Sequence, residues 1–223
     1  MNPLRRPFRY SYYNATLFII GINVLVFLVT YFRPGLTNLL GISANGMFTS
    51  HYFWQPLTYM FTHGGITHIL FNMLTLLFFG VPTEKAIGTK EFLLMYLLCG
   101  ILIGLISVAF FFGLSFYLAP QYYQMVIFYH YNLIGASGAI YTLLLVYSVI
   151  FPRAKIFIWG ILPVPAPLLI VIYFVIELVS QFSSVSSTAH YAHLLGLLLG
   201  WLYLVIRMGI HPVKVWIDAY RRR

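Results

Sequence analysis

A hydroxyl at Ser137, in the run Gly135-Ala136-Ser137-Gly138, and an imidazole at His193, in Ala192-His193-Leu194-Leu195-Gly196, each stand a few residues inside a separate hydrophobic stretch. Polar groups in hydrocarbon are costly, so their placement asks for a reason. A serine and a neutral imidazole together can do nucleophilic chemistry, the ring nitrogen taking the hydroxyl proton as the oxygen attacks. His68 and Asn72 are four apart and share one helix face. Ser137 and Tyr141 are also four apart, which sets a phenol one turn beneath the hydroxyl, available to stack on the imidazole. Gly138 on one side, and Gly196 with Gly200 on the other, offer small surfaces that let two helices approach closely. An oxyanion formed by attack needs donors. The candidates are the backbone N–H of Ser137, the Asn72 amide and His68, aided by a helix N-terminus.

These residues can meet only if their helices place them at one depth. The chain is 61% hydrophobic and only 8% charged over 223 residues, against about a quarter charged in soluble domains, which makes it an integral membrane protein. Apolar stretches long enough to span a bilayer are read at about 15–32, 66–83, 92–113, 135–151, 156–178 and 189–208. Of the thirteen Lys and Arg, twelve flank the ends that become cytoplasmic if the N-terminus is inside, and only Arg33 falls outside. The expected fold is therefore an all-α membrane protein, a polytopic bundle of six transmembrane helices with both termini cytoplasmic. It divides into a short basic N-terminus (1–14), the membrane domain (15–208) and a basic C-terminal tail (209–223). In this orientation the second, fourth and sixth spans run from outside to inside, so His68, Asn72, Ser137 and His193 share a depth near the outer face.

The net charge of +9 is a topology signal and not a nucleic-acid footprint. Cys99, the single cysteine, has no internal disulfide partner. The outer segment 33–65 is aromatic and nearly uncharged, as suits a structured loop in the interface, and the uncharged connection 114–134 is expected to hug the membrane. Pro163, Pro165 and Pro167 should distort or delay the fifth helix and leave it loosely packed, a candidate gate for substrate.

Each candidate has a bland reading. A lone serine among glycines more often packs helices or bonds a carbonyl one turn back; the coincidence of depth with His193 and the His68/Asn72 pair favours chemistry. His63 reads as a structural loop residue and His190 as interfacial; His51, His130 and His211 need no function. Gly80 and Glu84 shape the cytoplasmic end of the second span. The other acids are Glu91, Glu177 and Asp218, and only Glu177 lies towards the outer face, with nothing local pairing it to His193. The expectation is thus a Ser–His dyad whose imidazole is held by packing. Four imidazoles (His63, His68, His190 and His193) could suggest a metal, but no HExxH pattern accompanies them, and neither metal nor cofactor is expected.

The patterns His63-x-x-x-x-His68-x-x-x-Asn72, Gly80-x-x-x-Glu84, Gly135-x-Ser137-Gly138-x-x-Tyr141 and Ala192-His193-x-x-Gly196-x-x-x-Gly200 fall in the second, fourth and sixth spans in order. Together, over roughly residues 54–202, the chain resembles the rhomboid family of intramembrane serine proteases. The resemblance implies a six-helix bundle with Ser137 as nucleophile and His193 as general base. It further implies that His68, Asn72 and the Ser137 amide bind the oxyanion, and that the substrates are transmembrane proteins cut near the outer face after a small residue. Where many members carry Trp-Arg in the first outer loop this chain has Trp54-Gln55, which puts a hydrogen-bond network there in question. The expected partners are transmembrane substrates and membrane lipids, not nucleic acid, in a plasma (inner) membrane. Two rivals are a non-catalytic binder of transmembrane clients, like the family's inactive relatives that lack the serine or the histidine, and a transporter. The second lacks both repeat symmetry and an intramembrane acid.

Overall fold

The computed structural model describes residues 5–118, 132–158, 160–183 and 187–221. Helix α1 (Ala15–Phe32) opens without a local cap, since the Asn14 side chain bonds none of its N–H groups. A distant carboxylate serves instead. Glu84 accepts the N–H of Ala15 (2.8 Å) and of Thr16 (2.9 Å), the Thr16 hydroxyl (2.8 Å) and the Thr89 hydroxyl (2.6 Å). An anion at a helix N-terminus satisfies orphan donors and meets the favourable end of the dipole. Glu84 thereby fixes the start of α1 to the end of α2 (Ile66–Ile87) and the start of α3 (Thr89–Leu118).

Between α1 and α2 the segment 33–65 folds into structure of its own: short helices at Leu36–Leu40, Ala44–Phe48 and Gln55–Thr58, then a 3-10 turn at Tyr59–Phe61. Gln55 does not leave this loop unsupported. Its buried amide accepts the Ser43 N–H (3.2 Å) and donates to the carbonyls of Asn38 (3.2 Å) and Leu39 (3.3 Å), while the Trp54 indole donates to Leu39 as well (3.0 Å). His130 and most of the 114–134 connection lie outside the described residues.

Helix α4 (Ser137–Ile150) is buried around nearly its whole girth. It packs against α2, α3, α5 (Ala166–Ser183), α6 (Ser187–Leu202, continued by a π-helical turn at Tyr203–Met208) and α7 (Pro212–Arg221). A helix polar on one side could not fill that position; the run Ala139-Ile140 and Leu143 to Val146 can. Among the described residues four helical stretches are long and apolar enough to cross a membrane, Ala15–Phe32, Ile66–Ile87, Thr89–Phe110 and Ala189–Met208, and Ser137–Ile150 and Ala166–Gln181 are shorter apolar helices.

Two expectations change. The chain is not purely helical: strands β1 (Lys155–Ile158) and β2 (Leu162–Pro165) pair antiparallel, with Lys155 opposite Pro165 and Ile158 opposite Leu162. Pro163 and Pro165 sit in this isolated hairpin, where a missing N–H costs little, and only Pro167 enters the helix, in its first turn where proline is tolerated. The fifth helix therefore begins at Ala166 instead of 156, delayed as the prolines lead one to expect, and the helix runs unbroken from there to Ser183. The tail likewise folds back as α7, with Trp216 donating to the Ser148 carbonyl (3.1 Å) and Tyr220 to that of Pro152 (2.8 Å).

At the opposite end of the bundle from Ser137, Arg207 grips Glu91 through Nε (2.9 Å) and a terminal nitrogen (2.7 Å), and Tyr203 donates to the same carboxylate. The fork joins the start of α3 to the end of α6, a strong geometry for an ion pair.

Candidate active site

The approach to α4 is pinned from two sides. Leu133 bridges to Ile42 in the outer loop, and the Gly135 N–H donates to the Tyr59 carbonyl (2.9 Å). Gly135 has φ +114°, open to glycine and strained for other residues. A Cβ there would lie 2.8 Å from His68 Nε2 and 3.9 Å from Ser137 Oγ. One bare glycine thus lets the His68 ring and the serine hydroxyl face the same small volume. Ser137 is the first residue of α4, so its N–H has no intrahelical acceptor and points out of the helix N-terminus.

Helix α6 reaches Ser137 because its glycines remove the intervening bulk. A methyl at Gly196 would run into the Gly138 carbonyl, and the Thr142 hydroxyl donates to the Gly196 carbonyl (2.7 Å). Gly200 lies against Thr142 and Leu145 one turn on. The contact carries His193 onto Ser137: Nε2 is 2.8 Å from Oγ. The imidazole stacks on the Tyr141 ring, with centroids 4.3 Å apart and planes 7° from parallel. The sequence-derived pairing of Ser137, Tyr141 and His193 is the arrangement found.

His68 and Asn72 lie on one face of α2, and Asn72 is buried. The Gly64 N–H donates to His68 Nδ1 across a long 3.4 Å. A neutral imidazole that accepts at Nδ1 carries its proton on Nε2, the nitrogen beside Gly135, so His68 presents a donor to the site. His63 packs edge-on to His68 with centroids 4.9 Å apart and is buried, neither ring nitrogen finding a partner among the described residues. Burial, and then the neighbouring His68, push the His63 imidazole down to about 4.

The expectation that His193 is held by packing alone is corrected here. Glu177, on α5, brings Oε1 to 3.0 Å from His193 Nδ1, although the oxygen lies off the N–H direction and no aligned hydrogen bond forms. The Tyr141 hydroxyl donates to that same oxygen, and His190 Nδ1 lies 2.5 Å from Oε2. His190, read as interfacial, is therefore tied to the site. The sequence sets Glu177 towards the outer face but does not pair it with His193, because a fifth span starting at 156 leaves this residue in the span's last turn. With α5 ending at Ser183 and α6 starting at Ser187, Glu177 stands six residues before one end and His193 six after the other. In an antiparallel helix pair, equal distances from the connection mean equal depth.

The ligand atoms of Glu177, His190 and His193 lie within 4.8 Å of one another, so among the described residues this triangle, and not the four imidazoles His63, His68, His190 and His193, is the group that could hold an ion. Zinc ligands at bonding distance in a tetrahedron stand roughly 3.3 Å apart. The 2.5 Å approach of His190 to the carboxylate is a direct hydrogen-bond contact, closer than two ligands of one zinc would stand.

The family model described as Rhomboid domain matches residues 50–210. "Rhomboid protease GluP" of Bacillus subtilis (strain 168) is 32% identical over 131 residues, 56% of this chain and 22% of that protein. "Putative rhomboid protease YdcA" of the same organism is 31% identical over 144 residues, 60% of this chain and 61% of that one. "Inactive RHOMBOID-like protein 8" of Arabidopsis thaliana is 31% identical over 75 residues, 34% of this chain and 21% of that protein. The chain spans between 19% and 61% of the length of the curated relatives it matches.

Proposed function

The chain belongs to the rhomboid family, and from that premise we propose that it is an intramembrane serine endopeptidase cutting membrane-protein substrates in or near their transmembrane segments. The observation that carries the reading is the 2.8 Å contact of Ser137 Oγ with His193 Nε2, made by side chains from two different helices. Helices α1 to α6 each cross the membrane, with both termini on the cytoplasmic side of a plasma (inner) membrane. The distribution of basic residues supports this orientation. At 14 residues α4 rises about 21 Å, short of the roughly 30 Å hydrocarbon layer, so Ser137 at its end sits sunk beneath the outer headgroups.

Ser137 Oγ attacks the scissile carbonyl carbon while its proton passes to His193 Nε2. The oxyanion is met by the Ser137 N–H, His68 Nε2–H and the Asn72 amide. As the intermediate collapses the C–N bond breaks, and His193 gives its proton to the departing amine, leaving an ester on Ser137. Water from the outer side then loses a proton to His193 and attacks the ester. The second collapse returns that proton to Ser137 and frees the acid.

Turnover of a fluorogenic transmembrane peptide and fluorophosphonate labelling of Ser137 test the reading. Ser137→Ala and His193→Ala should abolish both, and Asn72→Ala should lower kcat by up to roughly 10²–10³. Labelling that survives Ser137→Ala, or a parent protein inert in detergent and in proteoliposomes, would refute it. The second reading, a non-catalytic binder of transmembrane helices, gains from a relative named as inactive. It has no use for a hydroxyl and an imidazole in contact.

A further inference from the structure

We propose that Glu177 is a positioning residue that converts the Ser137–His193 pair into a three-residue relay drawn from three helices; the proposal rests on the protease reading above. Serine occupies one ring nitrogen of His193, Nε2 at 2.8 Å, and the carboxylate faces the other, Nδ1 at 3.0 Å. A neutral imidazole has one proton to place. An anion beside Nδ1 keeps it there and leaves the Nε2 lone pair for the serine hydroxyl. The opposite tautomer would present N–H to Oγ and could not accept its proton. When the serine proton does arrive, the imidazolium lies between the Glu177 carboxylate and the face of the Tyr141 ring, two groups that favour a cation. The Nδ1 proton stays on the ring throughout and Glu177 stays ionised. The off-axis contact suits a resting site, since catalytic hydrogen bonds commonly tighten only once substrate is bound.

Glu177 is itself held in place. The Tyr141 hydroxyl donates to Oε1, and His190 Nδ1–H donates to Oε2 at 2.5 Å. Tyr141 therefore acts twice, its ring supporting the imidazole and its hydroxyl the acid. The Glu177 side chain is only 7% exposed, and burying a carboxylate is expensive unless it is well partnered. The other two well-buried acids have plain architectural work, Glu84 as the cap of α1 and Glu91 in the fork with Arg207. Among the described residues no arginine or lysine pairs with Glu177, and its ion-pair partners are the imidazoles of His190 and His193. Its position is explained by what it does to His193.

The test compares the parent with Glu177→Gln and Tyr141→Phe, using the fluorogenic peptide, the rate of fluorophosphonate labelling and the thermal midpoint in detergent. Glu177→Gln should lower kcat and the labelling rate together by about 10- to 10³-fold, less than the roughly 10⁴-fold loss when a fully aligned triad acid becomes an amide. KM and the melting midpoint should hardly change, a pattern that assigns the loss to the reacting state and not to folding or binding. Tyr141→Phe, which keeps the stacked ring and removes only the hydroxyl on Glu177, should show the same pattern more weakly. A Glu177→Gln protein with parental kcat, or a loss confined to KM, overturns the relay while leaving the serine protease intact. If that variant does not fold, parental kcat in Tyr141→Phe overturns it equally. A parent without Ser137-dependent turnover overturns the protease reading as well.

Discussion

His63 and His68 stand five residues apart with rings in contact, yet they serve opposite ends. His68 has its Nδ1 engaged by the Gly64 N–H and turns Nε2 towards Gly135 and Ser137. His63 is enclosed with neither nitrogen partnered among the described residues, and it stays neutral because a cation there would be stripped of water beside a second imidazole. Its folded-state value, about 4, lies below the 6.5 of an ordinary histidine. Between those values the unfolded chain binds a proton that the folded chain refuses, so stability is full above pH 6.5 and declines as the pH falls towards 4, by up to about 3 kcal/mol. The thermal midpoint in detergent should accordingly drop across that window, and His63→Phe, which cannot titrate, should flatten the drop. Parallel curves for the two proteins would assign the acid sensitivity elsewhere. From sequence His63 reads as a structural loop residue, since it lies ahead of the second span. Its missing partners are not legible there, because burial is a property of the packed loop.

At the scale of elements the site depends on the seam between α4 and α6. Gly196 has the Gly138 carbonyl and the Tyr141 Cβ so close that a methyl must displace backbone, whereas Gly21 of α1 has nothing within 4 Å of its notional Cβ. Gly196→Ala should therefore push the helices apart, destabilise the protein by about 1–3 kcal/mol as overpacked sites do, and cut turnover at least tenfold by opening the Ser137–His193 contact. Gly21→Ala should leave turnover unchanged and, if anything, raise the melting midpoint, since alanine outranks glycine in a helix. Equal behaviour of the two variants would count against the seam. This part of the fold was readable in advance: small residues at four-residue spacing and polar residues at one depth are periodic signals. The start of α5 was not. Pro163 and Pro165 alternate with Leu162 and Val164, a pattern as compatible with a delayed helix as with a strand, and only the pairing with Lys155–Ile158 decides it. That shift by most of three turns is what hid the pairing of Glu177 with His193, a partner on another helix.

Across the whole molecule the two ends of the bundle have different chemistry. The end that holds Ser137 contains imidazoles, Glu177 and a loop knitted by Gln55 whose one charged residue is Arg33; the other collects Glu84 over the start of α1, the Glu91–Arg207 fork, and α7 with Lys214 and Arg221. Arg5 adds to that second end by donating to the carbonyls of Val205 and Ile206 near the close of α6, where a helix dipole favours a cation. A chain inserted the other way would have to carry nearly all of its basic residues across the bilayer, which is the argument for the proposed orientation with the ion-rich end on the cytoplasmic side. Cysteine labelling can decide this with little background, because Cys99 is free but buried. In a Cys99→Ala background, Ser50→Cys, on the exposed surface of the outer loop, should react with a membrane-impermeant maleimide on intact spheroplasts. Lys214→Cys, exposed on α7, should react only in inside-out vesicles. The reverse pattern would put Ser137 near the cytoplasm and require substrates to be cut from the inner face. Labelling of both positions from one side would break the six-crossing arrangement itself, since the Ser50 loop follows one crossing and α7 follows all six.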